Sequence, residues 1–198
     1  MSHRAKEIIR AKGIAAAGKR EGRAAQEGTI ASKVVEGANG EVGYAVELNS
    51  ETDFVAKTPK FVDFSNTVLG YAVEADADSA EDLLEAKAEE GTVKEAVEEA
   101  AALFGEHVKV GQFAKISGEH VEIYAHKKSV EMPPSIVAMI ATDKAGAAVA
   151  HEAALQISAM GAQWLTREDV PAEVLASETR VATEKTTDPG STESGGLY

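Results

Sequence analysis

The sequence predicts an α+β fold, an antiparallel sheet backed by helices, and three observations predict it. Residues 29 to 48 alternate in hydrophobicity with a period of two. Residues 59 to 104 change to helical spacing, punctuated by capping residues. From residue 107 strand-like segments return ahead of an alanine-rich helix, so strand then helix at 136 to 160 partly echoes strand then helix at 41 to 73. That echo points to a second α+β subdomain, although no sequence repeat accompanies it.

The first element is a short helix from about 3 to 12 anchored by Ala5, Ile8 and Ile9, which Gly13 can end. GIAAAGKREGRAAQEG then reads as a connector, so residues 1 to 28 form an N-terminal helix and linker. A core subdomain is expected over 29 to 130. Its first hairpin is TIASKVVE and EVGYAVEL around GANG, where Asn39-Gly40 suits the positive φ values of a tight turn. Val42, Tyr44, Val46 and Leu48 share one face of the second strand, and Gly43, Ala45 and Glu47 the other, which predicts a sheet covered on one side.

Thr58 and Pro59 open the next helix, with Phe61, Val62, Ser65, Val68, Leu69 and Ala72 as its buried stripe. Capping boxes at Ser79 with Asp82 and at Thr92 with Glu95 open two more. The second of these buries Val93, Val97, Ala100, Ala101 and Phe104 before Gly105, and its glutamates form a wet outer face. HVKVGQFAKI and HVEIYAHK are strands, with His120 in the turn before the latter. SIVAMIAT, apolar on both faces, is expected to be an inner strand. The helix over 143 to 160 carries Val149, Ala153, Ile157 and Met160 along its packing stripe, and Gly161 stops it. Residues 131 to 185 thus form a partial second subdomain and a further helix, opened by a capping box at Thr166 and Asp169 and by Pro171. Residues 186 to 198 have the composition of a disordered tail.

Composition narrows the function. At 198 residues and 44% hydrophobic the chain can bury a core as one domain or two small ones. No run approaches the roughly 18 apolar residues of a membrane span, and MSHRAKEIIR lacks a secretory apolar stretch, so a cytoplasmic protein without a membrane partner is expected. Zero cysteine removes disulfides, thiolate zinc sites and cysteine nucleophiles. The net charge of −13 is uneven: residues 1 to 27 hold seven basic and three acidic residues, which leaves −17 on the rest. Such a body repels a phosphate backbone, so no direct nucleic-acid partner is expected.

Chemistry is sparse. Neither GxxxxGK[ST] nor GxGxxG is present, and GxSxG and HExxH are absent too. The five histidines, His3, His107, His120, His126 and His151, read by default as structural, and Trp164 as a core or junction residue. No cofactor is implied, which favours a protein that acts by binding. One stretch stands apart: NSETDFVAKTPK, residues 49 to 60, places Phe54 on a connection between strand and helix. From spacing alone Phe54 either folds onto Val55 and Phe61 to staple the following helix or is aimed outward.

ELNSETDFVAKTPKF resembles the signature stretch of bacterial elongation factor Ts, and three further segments agree in order and spacing: KGIAAAGKREGRAAQEGTI, LFGEHVKVGQFAKISGEHVEIYAH and WLTREDVPAEVLASETRVA. The resemblance covers roughly residues 8 to 182. It implies a guanine nucleotide exchange factor, not an enzyme, that binds the GDP form of elongation factor Tu. Thr52, Asp53, Phe54 and Val55 would be the contact turn, with Phe54 as wedge near the magnesium site and Asp53 as a polar contact beside it. Ser50 stands where many members have Cys. Relative to the family the chain is expected to lack most of an N-terminal three-helix module and the segments after residue 182, so the second α+β subdomain would be incomplete. Two alternatives stay open: a module that holds the GTPase without efficient exchange, and an enzyme whose pocket gathers His126 or His107 with Asp53. Homo-oligomerisation is also left open.

Overall fold

A computed structural model describes residues 23–127, 129–130, 132–164 and 166–187. The helix expected over 3 to 12, most of the linker and all but the first two residues of the tail expected over 186 to 198 lie outside the described residues; those two, Thr186 and Thr187, are helical. The chain divides after Met160 into two units.

In the first unit, strands β1 (Glu27–Gly37) and β2 (Gly40–Ser50) pair antiparallel from Gly37 opposite Gly40 to Glu27 opposite Ser50. The turn between them is Ala38-Asn39. Its positive φ falls on Gly40 alone (135°), where an added Cβ would collide with the Gly118 carbonyl; Asn39 does not take a positive φ as the sequence led one to expect. Strand β3 (Lys109–Gly118) pairs with the other edge of β2, giving the order β1-β2-β3 and making β2 central. The pairing slips between Val46 and Leu48, and there the Glu47 carboxylate accepts the Gln112 N–H at 3.0 Å.

Four helices follow β2 before β3: α1 (Asp53–Ala56), α2 (Pro59–Glu74), α3 (Ala80–Glu85) and α4 (Val93–Phe104). The one-turn α1 was not expected from the sequence, whereas each of the other three begins on the expected cap. Thr58 accepts from the Phe61 N–H with Pro59 at the first helical position, Ser79 accepts from the Asp82 N–H, and Thr92 and Glu95 form a complete reciprocal box. Phe61, Ser65, Val68, Leu69 and Ala72 of α2 are buried, while Val62 is half-buried. Together with Tyr44, Val46, Leu48, Leu83, Val93 and Val97 they make one core on the Val42-Tyr44-Val46-Leu48 face of the sheet. Phe104 closes it edge-to-face on Phe61, ring centroids 5.4 Å apart. Gly105 then ends α4 in the left-handed conformation at φ 75°.

The loop after α2 is tied to the sheet by polar groups. Lys115 of β3 reaches Asp76 and Asp78, both at 2.7 Å, and the Tyr44 hydroxyl donates to Asp76. Asp76 takes a positive φ of 49°, a conformation aspartate tolerates better than most residues. Its carboxyl is held below the usual carboxylate range by the hydrogen bond from Lys115 first and that from Tyr44 second. The Tyr44 hydroxyl is pushed up, mainly by burial, and the Lys115 ammonium is also pushed up by its two carboxylates.

The opposite face of the first sheet is not open. Strands β4 (His120–Lys127) and β5 (Pro134–Thr142) form a second antiparallel sheet that covers it. A Cβ on Gly43 would lie 2.7 Å from Val121 Cγ1 and 3.6 Å from Met139 Sδ, so the missing side chain lets the sheets approach. The expectation of a sheet covered on one side is corrected: Gly43 and Ala45 are small because something packs on them. His120 is the first residue of β4, opposite Thr142, and not part of the turn. β5 pairs only with β4 among the described residues. SIVAMIAT is therefore an inner strand by the layers on its two faces, not by hydrogen bonding.

Those layers are the first sheet and helix α5 (Ala147–Met160), which packs on β4 and β5. Its buried positions are Ala150, Ala154 and Ser158. Val149, Ala153, Ile157 and Met160, the stripe expected to pack, are exposed. In so apolar a helix periodicity cannot choose the face, and the smallest side chains sit inward because they allow the closest approach to the sheet.

In the second unit Asp169 accepts from the Thr166 N–H and hydroxyl, and α6 (Ala172–Thr187) starts after Pro171, whose carbonyl accepts from Val174 and Leu175. Trp164 is 39% exposed, which rules out the core position, one of the two the sequence offered for it. No helix among the described residues is long and apolar enough to cross a membrane.

Candidate functional site

The corner after β2 begins in the core and ends in solvent. Ser50 is fully buried and its hydroxyl donates to the Thr52 carbonyl at 3.0 Å. Asn49, also buried, donates to Glu47 at 2.9 Å. The strand therefore enters the corner without freedom to slide. Thr52 then caps α1, its Oγ1 accepting the Val55 N–H at 3.4 Å.

α1 is a single turn, so its own hydrogen bonds cannot hold it. It is fastened at both ends instead. At the start, Glu106 accepts the Thr52 N–H at 3.0 Å on one oxygen and the Thr52 hydroxyl on the other. At the far end, the Thr58 hydroxyl donates to the Val55 carbonyl at 2.8 Å, and Thr58 in turn caps α2. Ala56 is buried and Val55 is half-buried against the core.

Of the four residues marked in the sequence, Thr52 turns its side chain back into the fold and Val55 packs on the core. Asp53 pairs with Lys57 one turn on, at 3.7 Å. Phe54 is 70% exposed. Its only ring contact among the described residues is Lys57 Nζ, 4.4 Å from the ring centroid. It does not fold onto Phe61, which is fully buried against Phe104. An aromatic ring held in water by a fixed backbone costs apolar exposure and offers the area for a contact with another surface.

The histidine and carboxylate pocket is not assembled. His107 Nδ1 lies 2.8 Å from the Arg23 carbonyl, and its backbone N–H goes to Glu51. His126 lies on β4 beside Tyr124, ring centroids 6.2 Å apart. Histidine–carboxylate pairs do occur on β4: Glu122 takes His151 at 2.6 Å, and Glu41 of β2 takes His120 at 3.1 Å. Among the described residues no group of three or more histidines and carboxylates could hold a metal.

Sequence reasoning gave Glu51, Lys57 and the distant Glu106 no part in the corner, and named His107 only as a candidate for the enzyme pocket. Only Lys57 carried a local signal, its spacing of four from Asp53. Glu106 lies 54 positions from Thr52, and nothing in either segment marks the pairing.

Comparison with known proteins places the corner within a matched span. The family model described as Elongation factor TS matches residues 51–194. A protein named Elongation factor Ts from Bifidobacterium longum subsp. infantis is 85% identical over 190 residues, 96% of this chain and 67% of that one. One of the same name from Beutenbergia cavernae is 45% identical over 194 residues, 97% of this chain and 69% of that one. The chain spans about two thirds of the length of the curated relatives it matches.

Proposed function

The chain belongs to the elongation factor Ts family, translation elongation factors, and from that premise we propose that it binds elongation factor Tu in its GDP form in the cytoplasm and accelerates GDP release. Phe54 is the wedge, Asp53 the polar contact beside it, and Thr52 and Val55 complete the contact turn. The observation that carries this reading is the exposure of the Phe54 ring on a corner whose every other apolar side chain is wholly or partly withdrawn. No covalent step is required of any residue, so the activity is exchange and not catalysis of a reaction.

The energetics set the form of the mechanism. A nucleotide held at nanomolar affinity is bound by about 12 kcal/mol. One buried aromatic contributes a few kcal/mol at most, even at the centre of an interface. The ring therefore works only within a contact of at least ~1,000 Å², whose binding energy is coupled reciprocally to loss of the nucleotide. Magnesium is the economical target, because it bridges and neutralises the phosphates. Asp53, already paired with Lys57, brings a carboxylate to the same turn.

Release of fluorescent GDP from elongation factor Tu tests the proposal. The chain is expected to accelerate release, and Phe54→Ala to abolish most of that acceleration. Binding without acceleration would instead assign the chain to holding the GTPase, and equal acceleration by Phe54→Ala would remove the wedge.

A further inference from the structure

Phe54 owes its direction to backbone, since its ring touches little of its own chain, and the backbone of α1 owes its position to Thr52. Both hydrogen-bonding donors of Thr52 go to one side chain, the Glu106 carboxylate, which takes the N–H on one oxygen and the hydroxyl on the other. The same Thr52 oxygen accepts the Val55 N–H, so a single carboxylate orients the hydroxyl that caps the turn. A return bond runs the other way: Glu51 accepts the His107 N–H at 2.6 Å. Residues 51–52 and 106–107 thus exchange bonds in both directions, each through a carboxylate. Charge-assisted bonds of this kind are about twice as strong as neutral ones.

We infer that Glu106 is a positioning residue for Phe54, acting through Thr52, with Glu51 as the opposing arm of the same clasp. The inference deepens the exchange reading above and rests on it only for its functional consequence. A ring on a loosened one-turn helix must be ordered when the partner binds, and that ordering subtracts from the interaction. A ring already fixed loses nothing. Because Glu51 keeps its own bond to His107 when Glu106 is altered, the fold retains one arm of the clasp.

The test joins amide hydrogen exchange to GDP release in five chains: native, Glu106→Ala, Phe54→Ala, the double variant and Glu106→Gln, the milder change that keeps an acceptor for Thr52. In Glu106→Ala the amides of Val55, Ala56 and Lys57 should exchange about tenfold faster or more, while those of Val68, Leu69 and Ala72 keep their protection. Glu106→Gln should fall between. GDP release should be slowed about tenfold by Glu106→Ala and no further in the double variant than by Phe54→Ala alone. Unchanged exchange at 55 to 57 would overturn the inference, and so would a Glu106 effect that adds in full to that of Phe54→Ala, the mark of a direct contact with the partner. If the native chain fails to accelerate GDP release, the exchange reading falls while the amide measurement still decides the positioning role.

Discussion

Gly43 of β2 faces Val121 of β4 so closely that a Cβ on the glycine would stand 2.7 Å from the valine Cγ1. The contact sets how near the two sheets lie. It predicts that Gly43→Ala destabilises the chain by about 1–3 kcal/mol, the usual range for overpacking. A combined Gly43→Ala and Val121→Ala variant should recover part of the loss. Urea unfolding of the two variants checks it, and equal stability of Gly43→Ala and the native chain would show that the sheets have slack.

Phe54→Ala should leave folding stability within about 0.5 kcal/mol of the native chain, since the ring is mostly in solvent and loses only the contact with Lys57. Thermal unfolding measures this alongside GDP release. A large drop in stability would place the ring in the core and not at an interface.

The packing face of α5 gives a paired prediction. Ala154→Leu, on the fully buried side, should cost about 1–3 kcal/mol as the helix is forced from the sheet. Ile157→Glu, on the exposed side, should change stability by less than about 1 kcal/mol. The reverse order would restore the stripe read from the sequence.

Ser65 is buried in α2 and its hydroxyl has no hydrogen-bond partner among the described residues. Ser65→Ala removes that unpaired group and adds helix propensity, so it should be neutral or stabilise by up to about 1–2 kcal/mol. Denaturant titration decides, and a loss of stability would mean that the hydroxyl has a partner in solution.

The cluster of Tyr44, Asp76, Asp78 and Lys115 gives stability a defined pH window. The Asp76 carboxyl is depressed in the folded chain, so its contribution is present above the ordinary value of 3.8 and is lost as pH falls through the folded value. Tyr44 and Lys115 are raised, so theirs are present below 10.0 and 10.5 and are lost as pH climbs through the folded values. Lys115→Met should flatten the acid side of the stability profile, measured by urea titration at several pH values. The effect is modest because Asp76 lies in solvent.

Much of this fold is legible locally. The caps at Thr58, Ser79 and Thr92 and the stop at Gly105 act within four residues of themselves, and the structure places all of them as the sequence does. The Tyr44-Val46-Leu48 face is legible because its large side chains alternate. What alternation cannot convey is that small residues also mark contact: Gly43 read as an open face, and Ala150 and Ala154 lost the choice of helix face to Val149 and Ile157. At the candidate site the four residues from Thr52 to Val55 stood out by resemblance, whereas the exposure of Phe54 and its bracing by Glu106 depend on tertiary geometry.

The bonds from Glu106 to Thr52 also fix an order of events during synthesis. At elongation rates of 5–20 residues per second, roughly three to ten seconds separate the emergence of the strand end from that of its distant brace. Throughout that interval the growing chain carries the aromatic corner unfastened. A ribosome must therefore extend through α4 and the first residues beyond it before the corner acquires its final form.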